Sequence, residues 1–360
     1  MKKILSCLLI LMILFCTGCS PREPVDFVVP TPAAAEKTPP PAATPEPTPE
    51  PTPEPTPEPD ALTAEDGIYT IGWISDTQHY SKKFYHYYYK MTEFLNNEQE
   101  RLNLGYIVHT GDLVHNFDIP EEWVVADKAM QTIDHIPGGV LAGNHDYNSE
   151  AWTYEEYSKY FGASRYEGKP WYGGSYQNNR CHYDLITLGE TDYLFVYISH
   201  APDSGCIQWA NEIFAQYPDR AGILCVHDYF DRENELSPDG SELFKKIVKK
   251  NPNVYMVLCG HRYVLYAEDA PLDDDGDGTP DRTVHQVMAN YQAAGDEGGS
   301  GYMRFLQVNE AEGTIQMYSY SPSMNDYTYF DTPERLAEKY ASDAKYEEYK
   351  IRIPWMPTEE

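Results

Sequence analysis

Four short polar clusters stand in this chain, each at the end of an apolar, β-prone run. Asp76-Thr77-Gln78-His79 follows residues 68–75, Gly111-Asp112 follows 106–110, Gly143-Asn144-His145-Asp146 follows 139–142, and Gly260-His261 follows 254–259. A lone His227 closes a further run at 222–226. Metal and phosphate chemistry needs this layout, because strand ends in a packed sheet hold oxygen and nitrogen ligands at fixed separations while the connecting loops vary. A single Gly-Asp would carry no information; the ordered set does.

The runs alternate with helical spacing. Trp123, Ala126, Met130 and Ile133 fall on one helix face, as do Cys206, Trp209, Ile213 and Tyr217, and then Leu243, Phe244, Ile247 and Val248. Such alternation predicts an α/β fold with a sheet flanked by helices. Beyond Val284 the pattern turns to strands at 284–289, 303–308 and 314–318. Thr332 as cap and Pro333 at the first helical position then predict a last helix running to about 348. The tyrosine-rich stretch of Phe84, Tyr85, Tyr87, Tyr88 and Tyr89 reads as a helix face packed on the sheet.

The ends of the chain speak of location. Lys2 and Lys3 precede an apolar stretch at 4–15 that is short for a bilayer span and ends at Thr17-Gly18-Cys19, a pattern that resembles a bacterial lipoprotein signal acylated on Cys19. Cys16 departs from the leucine common in such signals, and an ordinary secretory signal or uncleaved anchor is the alternative. From 21 to 59 the chain is proline, threonine, alanine and glutamate with a repeated Thr-Pro-Glu-Pro unit, a polyproline-II spacer. At roughly 3.1 Å per residue it would hold a domain on the order of 100 Å from its anchor. The expected organisation is a signal peptide at 1–19, a disordered stalk at 20–66, a folded domain at 67–330, and a helix and tail at 331–360. The expected location is the outer face of the cytoplasmic membrane at a bacterial cell surface. A net charge of −30 argues against a nucleic-acid-binding surface. An anionic substrate would need a locally positive site, which bound cations supply. Cys181, Cys206, Cys225 and Cys259 lack CxxC spacing and read as buried apolar groups.

The ordered clusters resemble the calcineurin-like metallophosphoesterase family, which uses Asp-x-His, Gly-Asp, Gly-Asn-His-Asp/Glu, a lone histidine and Gly-His-x-His in this order. The resemblance spans roughly 68 to 320. It implies a four-layer α/β/β/α sandwich, two divalent ions (manganese, iron, zinc or magnesium), and hydrolysis of a phosphomonoester or phosphodiester by a metal-bound hydroxide. Carried over by position, Asp76 and Gln78 serve the first metal and Asp112 bridges both, while Asn144, His227 and His261 complete the second. His145 protonates the leaving oxygen and Asp146 orients its ring. Two departures touch the first metal: glutamine stands at 78, and Tyr263 replaces the last histidine. An amide oxygen still ligates, and an oxygen-rich site favours manganese, magnesium or calcium over zinc. The rival reading is a catalytically weak surface-binding lipoprotein that keeps the fold.

Asp273, Asp275, Asp277 and Asp281, with Gly278 among them, match the opening of a calcium loop, but Val284 stands where an EF-hand carries its bidentate glutamate. The alternative is a solvated acidic turn. Among the other histidines, His200 competes with His227 but reads as a loop residue, and His79 reads against a substitute role at the first metal, since neighbours on extended chain point oppositely. His109 reads as a satisfied core group and His115 as a substrate contact. His285 and the patch at 290–292 are pocket candidates.

Overall fold

A computed structural model describes Leu62 and residues 67–263, 265–292, 297–329 and 345–356. The chain runs β1 (Ile68–Ile74), α1 (Gln78–Lys82), α2 (Tyr85–Asn97), β2 (Leu104–His109), α3 (Pro120–Gln131), β3 (Gly138–Val140), α4 (Glu155–Phe161), α5 (Ala163–Tyr166), β4 (Tyr172–Tyr176), β5 (Cys181–Leu188) and β6 (Thr191–Ile198). It continues through α6 (Ser204–Gln216), β7 (Ala221–Val226), α7 (Pro238–Lys246), β8 (Val254–Cys259), β9 (Leu265–Leu272), β10 (Arg282–Ala289), β11 (Met303–Asn309), β12 (Thr314–Tyr320) and β13 (Glu348–Arg352). Two sheets form: six strands ordered β13-β12-β11-β1-β2-β3, and seven ordered β4-β5-β6-β7-β8-β10-β9.

Period-two alternation sorts the side chains into three cores. On β1, Tyr69, Ile71 and Trp73 enter the core between the sheets, together with Phe195 of β6, Ile223 of β7 and Leu258 of β8. The opposite face of the first sheet packs Ile74 and Ile107 against Met91, Leu95 and Trp123 of the helices. The second sheet turns Leu224 and Val257 toward Ile213, Phe214 and Leu243 of α6 and α7. Helix, sheet, sheet, helix is the expected α/β/β/α sandwich. Strands β7 and β8 are apolar throughout because both their faces are covered. Helix α6 starts where Asp203 accepts the Cys206 N–H, and α7 where Ser237 accepts that of Gly240 with Pro238 behind it.

Two outcomes differ from the sequence expectation. Strands β4, β5 and β6 were not foreseen individually, since β5 carries His182 and Asp184 on a segment whose first four residues are buried. The signal, Cys19 and, apart from Leu62, which is buried against the helices of the first sheet, the stalk lie outside the described residues, as does most of the expected last helix. The end of that helix is instead extended. Glu348 opens β13, which pairs antiparallel with β12 and sends Ile351 into the inter-sheet core. The alternation around Ile351 and Ile353 suits an edge strand over a hydrophobic face better than a helix. Among the described residues no helix is long and apolar enough to cross a membrane.

Candidate metal centre

Parallel pairing of β1 with β2 and β2 with β3 brings three polar clusters to one edge of the first sheet. Parallel pairing of β7 with β8 does the same in the second. Loop hydrogen bonds then tie neighbouring strand ends within each edge and, through His200, one edge to the other. The Asp76 N–H donates to Gly111 O at 3.0 Å, the His200 N–H to Ala142 O at 2.8 Å, and the Gly260 N–H to His227 O at 3.1 Å. His227 reaches across the sandwich, its Nδ1 lying 2.8 Å from Thr110 O. A carbonyl only accepts, so Nδ1 carries the hydrogen.

With Nδ1 holding its hydrogen for Thr110, a His227 that yields its second proton to a cation would present a bare Nε2. That atom lies 3.0 Å from Asn144 Oδ1, 3.1 Å from His261 Nδ1 and 3.3 Å from Asp112 Oδ1. Ligand atoms of Asp112, His227 and His261 all fall within 4.8 Å of one another. Lone pairs from four side chains converge there, and a cation is what such a cluster suits. Gln78 leans in from α1: its Nε2 donates to Asp112 Oδ2 at 2.8 Å, leaving Oε1 buried without a partner among the described residues. Asp76 sits beside them, its carboxylate receiving the His261 N–H at 3.1 and 3.2 Å and the Ser75 hydroxyl.

The backbone bends to make this fit. Asp76, Asp112 and His261 have φ of 56°, 56° and 71°, in the left-handed region that costs a non-glycine residue about 1–3 kcal/mol. Glycines beside them permit the approach: a Cβ on Gly143 would stand 2.1 Å from Asp112 Oδ1, and one on Gly260 2.3 Å from Asp76 Oδ2. Burial pushes Asp76 up to about 7, with Asp112 adding to it. Burial also works to raise Asp112, but the charge and hydrogen bond of His227 hold it below the usual carboxylate range. His227 resists its own burial and rises to about 10 beside Asp112 and Asp76. Carboxylates this deep require positive charge at their side.

The family model for calcineurin-like phosphoesterases matches residues 69–265, more than half of the chain. The chain belongs to the calcineurin-like phosphoesterase family. It is 44% identical over 275 residues to the uncharacterized protein YvnB of Bacillus subtilis (strain 168), covering 76% of this chain and 21% of YvnB. The chain therefore spans about a fifth of that relative's length. The purple acid phosphatase PPD1 of yellow lupin superposes with a TM-score of 0.51 at 10% identity, covering 81% of this chain and 55% of the lupin chain. At that identity the likeness speaks for the fold alone, and the fold is that of the metallophosphoesterases.

The residues of this calcineurin-like phosphoesterase fit a metal pair. Asp112, Asn144, His227 and His261 converge, and the orphaned Gln78 oxygen together with Asp76 offers donors to a neighbouring ion. Asp146 is a correction. Its carboxylate accepts the N–H groups of Gly143 at 2.7 Å, Val114 at 2.9 Å and Leu113 at 3.1 Å, pinning two loops together. Three amide donors engage both of its oxygens. The His145 ring is held instead through Nδ1, 2.8 Å from the His115 carbonyl, with the His115 ring stacked on it at 5.0 Å.

The remaining candidates separate. His200 stands outside the cluster, its ring 5.9 Å from that of His227 and 6.0 Å from that of His261. His79 turns away to stack on His115 at 5.4 Å. His109 is the satisfied core group expected, meeting Thr77 Oγ1, Tyr88 OH and the Gly111 N–H. His285 pairs with Asp269 across β9 and β10, lining a different cavity, whereas Gln292 donates to Asp76 O at 2.6 Å. Tyr263 is 43% exposed at the pocket wall. Of the acidic loop, Asp273, Asp275 and Asp281 bring carboxylate oxygens together, while Asp277 is outside that group and accepts from the Thr279 N–H. Loop amides already engage Asp273 and Asp281. Sequence reading passed over Arg232 and Arg262 on the pocket wall, although Arg262 occupies the variable place of Gly-His-x-His.

Proposed function

We propose that this chain is a surface-anchored, metal-dependent phosphoesterase that hydrolyses a phosphoester outside the cell. One observation carries the reading: four metal-type donor side chains from four separate loops converge beside a histidine placed to move a proton. Two divalent ions would supply Lewis acidity, activating water and neutralising the phosphoryl oxygens. The protein does the rest. Thr110 fixes the His227 ring, the Gln78 amide steadies Asp112, and Asp146 clamps the loops that carry Asp112 and Asn144. His145, on the wall of the same pocket, has its Nδ1 held by His115, so Nε2 is the atom that delivers a proton to the departing oxygen. Asn144 supports the charge that develops on the phosphoryl group.

The test is hydrolysis of p-nitrophenyl phosphate and its bis-ester by manganese-loaded protein. Asp112→Ala is expected to abolish turnover, and His145→Ala to lower kcat by about 10²–10⁴-fold. Undiminished activity in both variants would overturn the assignment.

A further inference from the structure

We propose that Arg262, supported by Arg232, makes this pocket selective for a phosphomonoester dianion over a phosphodiester; the proposal rests on the phosphoesterase reading above. The metal-type donors Asp112, Asn144 and His261 line a cavity of about 160 Å³, and Arg232 and Arg262 line it as well. Arginines 165, 180 and 282 are each engaged by carboxylates. Arg262 makes no ion-pair contact among the described residues, though Asp228 feels its charge, and its Nε–H, like those of Arg180 and Arg304, is buried without an acceptor there. A buried donor left unmade costs about 1–3 kcal/mol, so an incoming acceptor is favoured at that atom. Arg232 is exposed on the same wall. Asp231 sits with them, but its Oδ1 already receives the N–H groups of Glu233 at 2.9 Å and Glu235 at 3.0 Å. In a chain of net charge −30, Arg232 and Arg262 here offset the charges of Asp112 and Asp231 on the same lining.

The chemistry of the two ester classes differs in what a guanidinium can meet. A diester has two non-bridging oxygens and one negative charge, and the donor wall with its ions engages both. A monoester has a third such oxygen and a second charge at neutral pH. That extra oxygen is the acceptor Arg262 lacks, and a forked, charge-assisted contact is the strongest kind available to it.

The experiment compares p-nitrophenyl phosphate with bis(p-nitrophenyl) phosphate on the manganese-loaded full-length protein, as wild type, Arg262→Gln, Arg262→Lys and Arg232→Gln. Wild type is expected to favour the monoester. In Arg262→Gln the monoester-to-diester ratio of kcat/KM should fall about ten- to hundredfold, mostly through the monoester KM. Inorganic phosphate, followed by calorimetry, should bind more weakly by a similar factor. Arg262→Lys should recover part of both losses, and it carries the comparison if the glutamine variant fails to fold. A wild type that favours the diester, or an unchanged ratio in the arginine variants, would overturn the proposal. If wild type hydrolyses neither ester, the phosphoesterase reading fails by itself, and phosphate binding in wild type against Arg262→Gln still decides the pocket.

Discussion

At the scale of single residues, the site is built from backbone that few side chains tolerate. Asp76, Asp112 and His261 each hold a left-handed φ at a strand end; Gly111 and Gly260 precede the last two, and the missing side chain of Gly260 also lets that loop close in on Asp76. Gly143 is the tightest case, since a Cβ there would overlap both Asp112 Oδ1 at 2.1 Å and Asp112 N at 2.4 Å. Gly143→Ala should therefore displace Asp112 and lower manganese affinity by about 10–100-fold, the range seen when ligand-orienting groups are lost. Circular dichroism should show the sandwich intact while metal analysis after dialysis shows the loss; full retention of metal would refute the overlap. The clusters themselves were legible because glycine, histidine and aspartate at strand ends have a chemical reason to recur. The task of Asp146 was not. Adjacency to His145 suggested a ring partner, whereas three amides brought in by tertiary folding claim its carboxylate.

At the scale of elements, strands buried on both faces announce themselves by continuous apolar sequence, as β7 and β8 do. Strand β5 hides because His182 and Asp184 break that signal, yet both are fully buried. Asp184 accepts the Tyr106 hydroxyl while its Oδ1 has no partner, and burial raises its pKa well above the usual carboxylate range. A carboxyl that holds its proton more tightly when folded stabilises the fold fully only below its unfolded pKa of about 4. As pH rises from there toward the folded value, that contribution is lost. Asp184→Asn removes the penalty, so its stability relative to wild type should grow by about 1.4 kcal/mol per pH unit above pH 4 until the folded pKa is reached. Denaturant unfolding at pH 5, 6 and 7 measures this; parallel curves for the two proteins would contradict a neutral Asp184. Strand β13 was hidden for another reason. Its alternation is short, and only the exposed edge of β12 gives it a place to pair.

At the scale of the whole molecule, charge and anchoring go together. A net charge of −30 repels phosphate esters at long range, so binding depends on a mouth where guanidinium groups and cations reverse the field. The proposed acylation of Cys19 would keep that mouth at a surface. Cys19→Ser should release the protein into the medium, read by cell fractionation, and should end its labelling by fatty acid. Continued membrane retention would remove the lipid anchor from the proposal without touching the chemistry of the site. Alternating periods made a sheet flanked by helices readable, and the four-layer plan came only with the family resemblance of the ordered clusters. The partition into one sheet of six strands and one of seven was not, because it depends on which distant strands meet.

That partition has a kinetic consequence. Strand β1 lies between β2 and β11, so one of its edges pairs early and the other waits for a strand about 230 residues further along, on the order of 10–50 s of synthesis. During that interval the nascent polypeptide carries an apolar ribbon with open hydrogen-bonding groups, a template for self-association. Keeping that ribbon apart from its neighbours until β11 emerges is a task for chaperones.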